Sequence, residues 1–466
     1  MKHVRLLPVF VFLAALFVAA VPLRAAELRV GAATEVITPG MGAPLAGYYD
    51  HREAAGVHDD LFAKAIVIER DGVKVALVVC DLITVPRIVV DEARRLIAEK
   101  PGIPADHVMI SATHTHTGPI VRGPSGEDPL KGDDSDKTAV FARSLPELIA
   151  ECVRKADAKL APVTASAAIG REEHVSFNRR FFMKDGTVGW NPTKRSPKVD
   201  RPAGPIDPDV PVIYFAAADD GRPLATHVSF AMHLDTVAGD QISADYPATI
   251  ASILGKVKGP DMVTVFATGA CGDINHLDNS STDKQRGNEE AARIGTILAG
   301  ETVKTYARLK PISDGPLRVK AQPVSLPLVD LEPGDFEKAR ELVLNPGKAK
   351  KTFLGNVWAF KVLDVAARKG KPLDVEVQVV ALGNDVAWVS LPGEVFVELG
   401  LEIKKRSPFK QTMIVELANG SIGYIPTKRA YVEGNYEPTT ARCASGSGET
   451  IVETAVGLLN ELHEGP

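Results

Sequence analysis

The sequence predicts an α/β protein: mixed central β-sheets with several hairpins, flanked by α-helices, in a single large domain. Three observations carry this. First, β-branched apolar runs of strand length alternate with segments whose apolar positions recur at three- and four-residue steps. Second, three pairs of strand-like runs are joined by short Asp, Asn and Gly turns, which connect antiparallel neighbours, so the sheets are mixed rather than purely parallel. Third, 466 residues with 45% hydrophobic and 24% charged content have ordinary globular composition, with no internal repeat or low-complexity stretch to divide them.

The elements follow in order. Residues 28–37 read as a strand ended by Thr38-Pro39-Gly40, with a Gly-rich loop over 40–47. Runs 63–69 and 73–80 flank Arg70-Asp71-Gly72 as the first hairpin. Residues 89–98 carry helical spacing, 108–116 read as a strand and 138–160 as a helix. The second hairpin joins 210–217 to 224–232 through Asp219-Asp220-Gly221. A short buried strand over 263–268 and a long helix over 288–309 come next. The third hairpin joins 375–382 to 386–391 through Gly383-Asn384-Asp385. Helices over 394–405 and 450–463 close the chain, and 123–137 and 192–208 read as loops.

The N-terminus has its own logic. Lys2, His3 and Arg5 precede an apolar run over 6–21 and then Pro22-Leu23-Arg24-Ala25-Ala26. Charge, apolar stretch and small residues in that order describe a secretory signal peptide over residues 1–26. The run contains Pro8 and is shorter than the ~20 residues of a spanning helix. The expected mature chain is therefore secreted or periplasmic, with no transmembrane segment. A net charge of -5 without dense Lys/Arg blocks argues against a nucleic-acid partner. Cys80, Cys152, Cys271 and Cys443 are too few to form a disulfide scaffold, and their pairing is not legible. Cys80, inside the apolar run 75–82, reads as a buried free thiol.

Five motifs could carry chemistry. His114-Thr115-His116 ends a predicted strand, where side chains two apart share a face. Two imidazoles there can share a metal, or one can bind metal while the other meets substrate. His233-Leu234-Asp235 ends another strand and offers a third imidazole. Ser243-Ala244-Asp245-Tyr246 behind it can orient a ligating His or cap a helix. The small residues of Gly269-Ala270-Cys271-Gly272-Asp273-Ile274-Asn275-His276 permit close backbone approach to a ligand, or a tight turn. Glu394, in Leu391-Pro392-Gly393-Glu394, is a carboxylate ligand or an early helix residue favoured by the helix dipole. Tyr424 and Tyr436 lie in a Gly/Pro-containing stretch that suggests a pocket wall.

In their order these motifs resemble the catalytic domain of the neutral (neutral/alkaline, non-lysosomal) ceramidase family. The resemblance runs through Val30-Gly31-Ala32-Ala33, Ile37-Thr38-Pro39, residues 56–65, residues 110–119, Phe177-Asn178-Arg179, residues 230–233, Gly272-Asp273, Pro392-Gly393-Glu394 and residues 423–437. It implies one zinc-dependent catalytic domain over 27–466. It also implies that His114, His233, Glu394 and Tyr424 are zinc ligands, and that His116 and Arg179 face the scissile group. Tyr436, twelve positions after Tyr424, matches the family's second active-site tyrosine. Family members cut the amide of ceramide, a sphingolipid, and carry a further immunoglobulin-like domain, which this chain, ending at Pro466, is expected to lack.

One position departs. The family motif Gly-Asp-Val-Ser-Pro-Asn supplies a Ser nucleophile, and here Asn275 stands in its place. An amide side chain is not an activated oxygen nucleophile. The expected activity is therefore an exported zinc-dependent hydrolysis of an amide (C–N) or related bond, attacked by zinc-activated water. His116 or Tyr436 would move the proton, and Arg179 and Asn275 would orient substrate or stabilise negative charge. One alternative is a zinc-dependent lyase on uronate-containing polysaccharides, which needs no nucleophile. Another is an inactive ligand-binding homologue. The partner is in each case a small-molecule, lipid or glycan substrate.

Overall fold

A computed structural model describes residues 27–121, 136–344 and 352–465. The segment read as a signal peptide, and most of the loop read at 123–137, lie outside the described residues.

All three hairpins form. Phe62–Arg70 pairs with Val73–Cys80, and the turn places Asp71 at φ 52° and Gly72 at φ 79°, the left-handed pair that matches strand twist. Asp209–Ala217 pairs with Pro223–Phe230, and Leu373–Leu382 with Val386–Ser390. The large sheet runs, from edge to edge, Val263–Thr268, Pro223–Phe230, Asp209–Ala217, Ala161–Arg171, Arg29–Val36, Phe62–Arg70, Val73–Cys80 and Val108–Ala112. Its interior pairs are antiparallel. The two outermost pairs are parallel. Ala161–Arg171, central in the sheet, was not expected from sequence, because its small residues lack the β-branched signature.

A second sheet comprises Leu317–Leu326, Leu373–Leu382, Val386–Ser390 and Gln411–Val415. Alternation along the strands shows how the layers stack. In Leu373–Leu382 the odd-numbered Val375, Val377 and Val379 pack with the helices Val397–Arg406 and Ser447–Glu464. The even-numbered Val380 and Leu382 pack with Ile66, Ile68, Leu77 and Phe215 of the large sheet. The opposite face of the large sheet packs on Arg87–Glu99 and Lys137–Asp157 in one half. In the other half it packs on Tyr246–Lys258 and Asn288–Tyr306. The molecule is thus helix, sheet, sheet, helix, with a period-2 pattern feeding separate cores on the two faces of a strand.

The large sheet also curls until its edges meet. Thr268 Oγ1 donates to the Thr113 carbonyl at 2.6 Å. Thr115 and Leu234 form a parallel bridge, and His116 N donates to Leu234 O at 3.1 Å. The ends of the two parallel edge pairs therefore come together, although more than 100 residues separate them.

Three expectations are corrected. The strand read over 108–116 ends at Ala112, and His114 has φ 76°; the His114/His116 pair sits on a turn rather than on one strand face. The helix read over 394–405 begins at Val397, and Glu394–Val395 instead pairs in parallel with Tyr424–Ile425. The stretch 192–208 is not all loop, since Val199–Pro202 is a strand. All four cysteines are buried and free, as expected for Cys80. No helix among the described residues is long and apolar enough to cross a membrane.

Two outcomes follow. A Cβ at Gly31 would lie 2.0 Å from the Ala156 carbonyl oxygen and 2.9 Å from Leu160 N, where the helix end rests on the strand. Gly31→Ala should destabilise the fold by about 1–3 kcal/mol, read as a lowered urea midpoint at unchanged m. A thiol reagent should modify none of the four cysteines in the native protein and all four after denaturation.

Candidate metal centre

The site forms where the curled sheet closes. His114 follows one edge strand and His233 follows the strand next to the other edge. His114 Nδ1 lies 2.9 Å from the Ile83 carbonyl oxygen, and His233 Nδ1 lies 2.8 Å from that of Cys271. A carbonyl can only accept, so each Nδ1 carries the proton and each Nε2 presents a lone pair. Both Nε2 atoms face the same carboxylate oxygen. Glu394 Oε2 is 3.4 Å from His114 and 3.2 Å from His233. Tyr424 Oη stands 3.4 Å from His233 Nε2.

This arrangement turns two imidazole Nε2 atoms and a carboxylate oxygen toward one point. Glu394 Oε2 is buried and has no hydrogen-bond partner among the described residues. Burial would push its carboxyl up, but His114 and His233 hold it well below the usual range. Burial opposes a proton on His114, and Glu394 outweighs it. On His233 burial prevails, with the Arg179 charge adding to it. A single shared proton cannot satisfy two imidazoles, whereas a cation between them can. Imidazole nitrogen and carboxylate oxygen are the donor set that suits zinc, and carbonyls holding both Nδ1 atoms are the outer partners such ligands use. The residues fit the ion.

His116 joins this cluster. Its Nε2 is 3.4 Å from His114 Nε2, and ligand atoms of His114, His116 and His233 all lie within 4.8 Å of one another. Its Nδ1 is buried without a hydrogen-bond partner among the described residues. Burial, with the neighbouring His114 adding, holds its pKa well below the ordinary value. Tyr48 packs edge-on against it, ring centroids 5.4 Å apart.

Backbone pairing positions the other groups. Glu394 is the register partner of Tyr424 in a two-residue parallel pair. The 269–276 segment passes directly behind. A Cβ at Gly272 would lie 2.5 Å from Glu394 O, so only glycine fits there. Arg179, buried, donates from Nη2 to Tyr424 Oη at 2.9 Å and to Gly272 O at 2.7 Å, and from Nε to Glu437 at 2.9 Å. Burial raises the Tyr424 phenol well above its usual range, and the Arg179 charge opposes that. Tyr436 opens a short helix capped by Asn435. Its ring lies 5.5 Å from that of Tyr424, 4.5 Å from Trp190 and 5.5 Å from Phe353. Tyr424 and Tyr436 thus belong to one aromatic cluster with Trp190 and Phe353.

Asn275 is fully buried in a two-residue pair with Phe177–Asn178. Its Nδ2 donates to Asn191 at 3.2 Å and its Oδ1 accepts from Leu277 N at 3.0 Å. Both ends of the amide serve the loop.

Sequence reasoning missed two groups. Glu416 accepts from Cys271 N and Val395 N on one oxygen, both at 3.1 Å, and from the Cys271 thiol on the other at 2.9 Å. It ties the loop that orients His233 to the strand that carries Glu394, and burial lifts its carboxyl to about 8. A charged residue directly after the buried strand Gln411–Val415 was the available signal. The second is the pair Asp235 and His276, 3.1 Å apart. Burial would raise the Asp235 carboxyl, but His276 holds it well below the usual range. Asp245, expected either to orient a His or to cap a helix, caps Tyr246–Lys258.

No protein-family model matches the chain, and no curated protein sequence matches it. Solved structures do. The chain is similar to neutral ceramidase from Pseudomonas aeruginosa, with TM-score 0.74 and 20% identity over 94% of this chain and 75% of that one. It is similar to a ceramidase complexed with C2, with TM-score 0.73 and 19% identity over 94% of this chain and 76% of that one. At this identity the likeness establishes a shared ceramidase-like α/β fold.

Proposed function

We propose that this chain is an exported zinc-dependent hydrolase that cleaves an amide or related C–N bond, with residues 27–466 as its catalytic domain. The observation that carries the reading is the convergence of two imidazole lone pairs on the buried, unpartnered Glu394 oxygen. His114, His233, Glu394 and Tyr424 would hold the ion, with His116 at its side. Bound zinc would polarise a carbonyl oxygen and lower the pKa of a water toward ~7.

The chain's own groups supply the rest. Arg179 is fixed by three acceptors and keeps the Tyr424 oxygen turned toward His233. His116 Nδ1 has no hydrogen-bond partner among the described residues, and it would take a proton from water and deliver one to the departing nitrogen. Tyr436 is the second candidate for that delivery. Water adds to the carbonyl carbon, the C–N bond breaks, and both water protons finish on nitrogen, leaving carboxylate and ammonium. Trp190, Phe353 and Tyr436 stack into an apolar face beside Tyr424, along which the apolar portion of a substrate would lie, and this supports a lipid amide. The fold shared with solved ceramidases supports the same class.

The purified protein should contain one zinc per chain and hydrolyse N-acyl amides, ceramide among them. A chelator such as 1,10-phenanthroline should abolish the activity, and added zinc should restore it. His233→Ala should weaken zinc binding by at least roughly 100-fold, more than loss of an outer partner costs. Absence of zinc, activity indifferent to chelation, or an unsaturated uronate product from polysaccharide would each overturn the reading.

A further inference from the structure

The hydrolase reading leaves one role unfilled, namely what receives and aims the attacking water where Asn275 offers no nucleophile. Both ends of the Asn275 amide are engaged. Most carboxylates around the site are engaged too. Glu394 faces the imidazoles. Glu416 is bonded by Cys271 and Val395. Glu437 is held by Arg179 and Arg180, Asp273 by Asn178 and the Val397 amide, and Asp245 by three backbone amides.

Asp235 differs. Its Oδ1 accepts from His276 Nδ1 at 3.1 Å. Oδ2 takes no hydrogen bond from any described residue, and the side chain is 15% exposed. His276 is buried, and its Nε2 lies 2.8 Å from the Gln285 carbonyl oxygen. Both ring nitrogens thus face acceptors, so the imidazole is held as a double donor that fixes the carboxylate's orientation. Leu234 bridges to Thr115, which sets Asp235 beside His116; its charge acts on His116 and on Tyr48. His116 Nδ1 and Tyr48 Oη are both buried at this same corner without a hydrogen-bond partner among the described residues.

We propose that Asp235, positioned by His276, is the hydrogen-bond acceptor that orients the attacking water in this chain. The inference rests on the hydrolase reading. An open carboxylate oxygen takes one water hydrogen and turns the oxygen lone pair forward, as water-positioning side chains do in other hydrolytic sites. Asp235 need not keep the proton. His276 does not touch the water and is a positioning residue.

Asp235→Asn is a sharp test. His276 Nδ1–H keeps the new amide's oxygen on its side, which puts NH2 where Oδ2 stood and turns an acceptor into a donor. With zinc-loaded protein and an N-acyl-4-nitroanilide series, kcat should fall by roughly 100-fold while KM stays within about twofold. Zinc stoichiometry and melting temperature should remain those of wild type. His276→Leu should cost a similar factor, and the double variant should be no worse than either single one, because the pair acts as one unit. The inference is overturned if D235N keeps its kcat, if it loses zinc together with activity, or if the two losses multiply. Wild type that carries zinc but hydrolyses no amide would overturn the hydrolase reading and this inference together. An active wild type with an equally active D235N would overturn the inference alone.

Discussion

Closure of the curled sheet is the constraint on which the rest depends. The bond from Thr268 to the Thr113 carbonyl, the Thr115–Leu234 bridge and the bond from His116 N to Leu234 O join ends that lie far apart in the strand order. A flat sheet of the same order would leave His114 and His233 many strands apart at ~4.8 Å per strand. Curling brings their rings to 4.6 Å. It is enforced by cores on both faces: helices cover the outer face, and the second sheet fills the inner one. His114 accepts a left-handed backbone at that junction, a conformation that costs an L-residue of order 1 kcal/mol and tends to persist at functional sites.

Around the junction, polar groups are arranged in pairs that each fix another. Carbonyls hold the Nδ1 atoms of two imidazoles, so two lone pairs turn inward to one carboxylate. Glu416 ties the backbone behind His233 to that behind Glu394. Arg179 sits between Glu437 and Tyr424. Such a network is stable only when every member is satisfied. Glu394 Oε2, without a hydrogen-bond partner among the described residues, lies between the imidazoles, which is where a cation would complete the network.

The same bookkeeping separates scaffold from chemistry at the other polar residues. Asn275 and Cys271 lie close to the centre, yet each is consumed by its neighbours. Asp235 and His116 keep an atom that no described residue satisfies. The hydrolysis proposed above, without a side-chain nucleophile, would need unspent polar atoms of this kind.

The sequence by itself determined the mixed α/β class, the three hairpins, the long helices read over 138–160 and 288–309 and found at 137–157 and 288–306, and the motifs that carry the candidate site. Those are local properties: turn chemistry and the period of apolar residues act over a few neighbours. His114, His233, Glu394 and Tyr424 were legible as candidates through their order along the chain. Tertiary structure alone decided that they meet. It also decided that His114 and His116 share a turn rather than a strand face, because the strand stops at Ala112. Glu394 left its expected helix for the same kind of reason, since pairing with Tyr424 satisfies its backbone better than a helix start would. The strand Ala161–Arg171, Glu416 and the Asp235–His276 pair gave little local signal. Their roles come from partners as far as 145 residues away, and no pattern within a short window of sequence encodes such a contact.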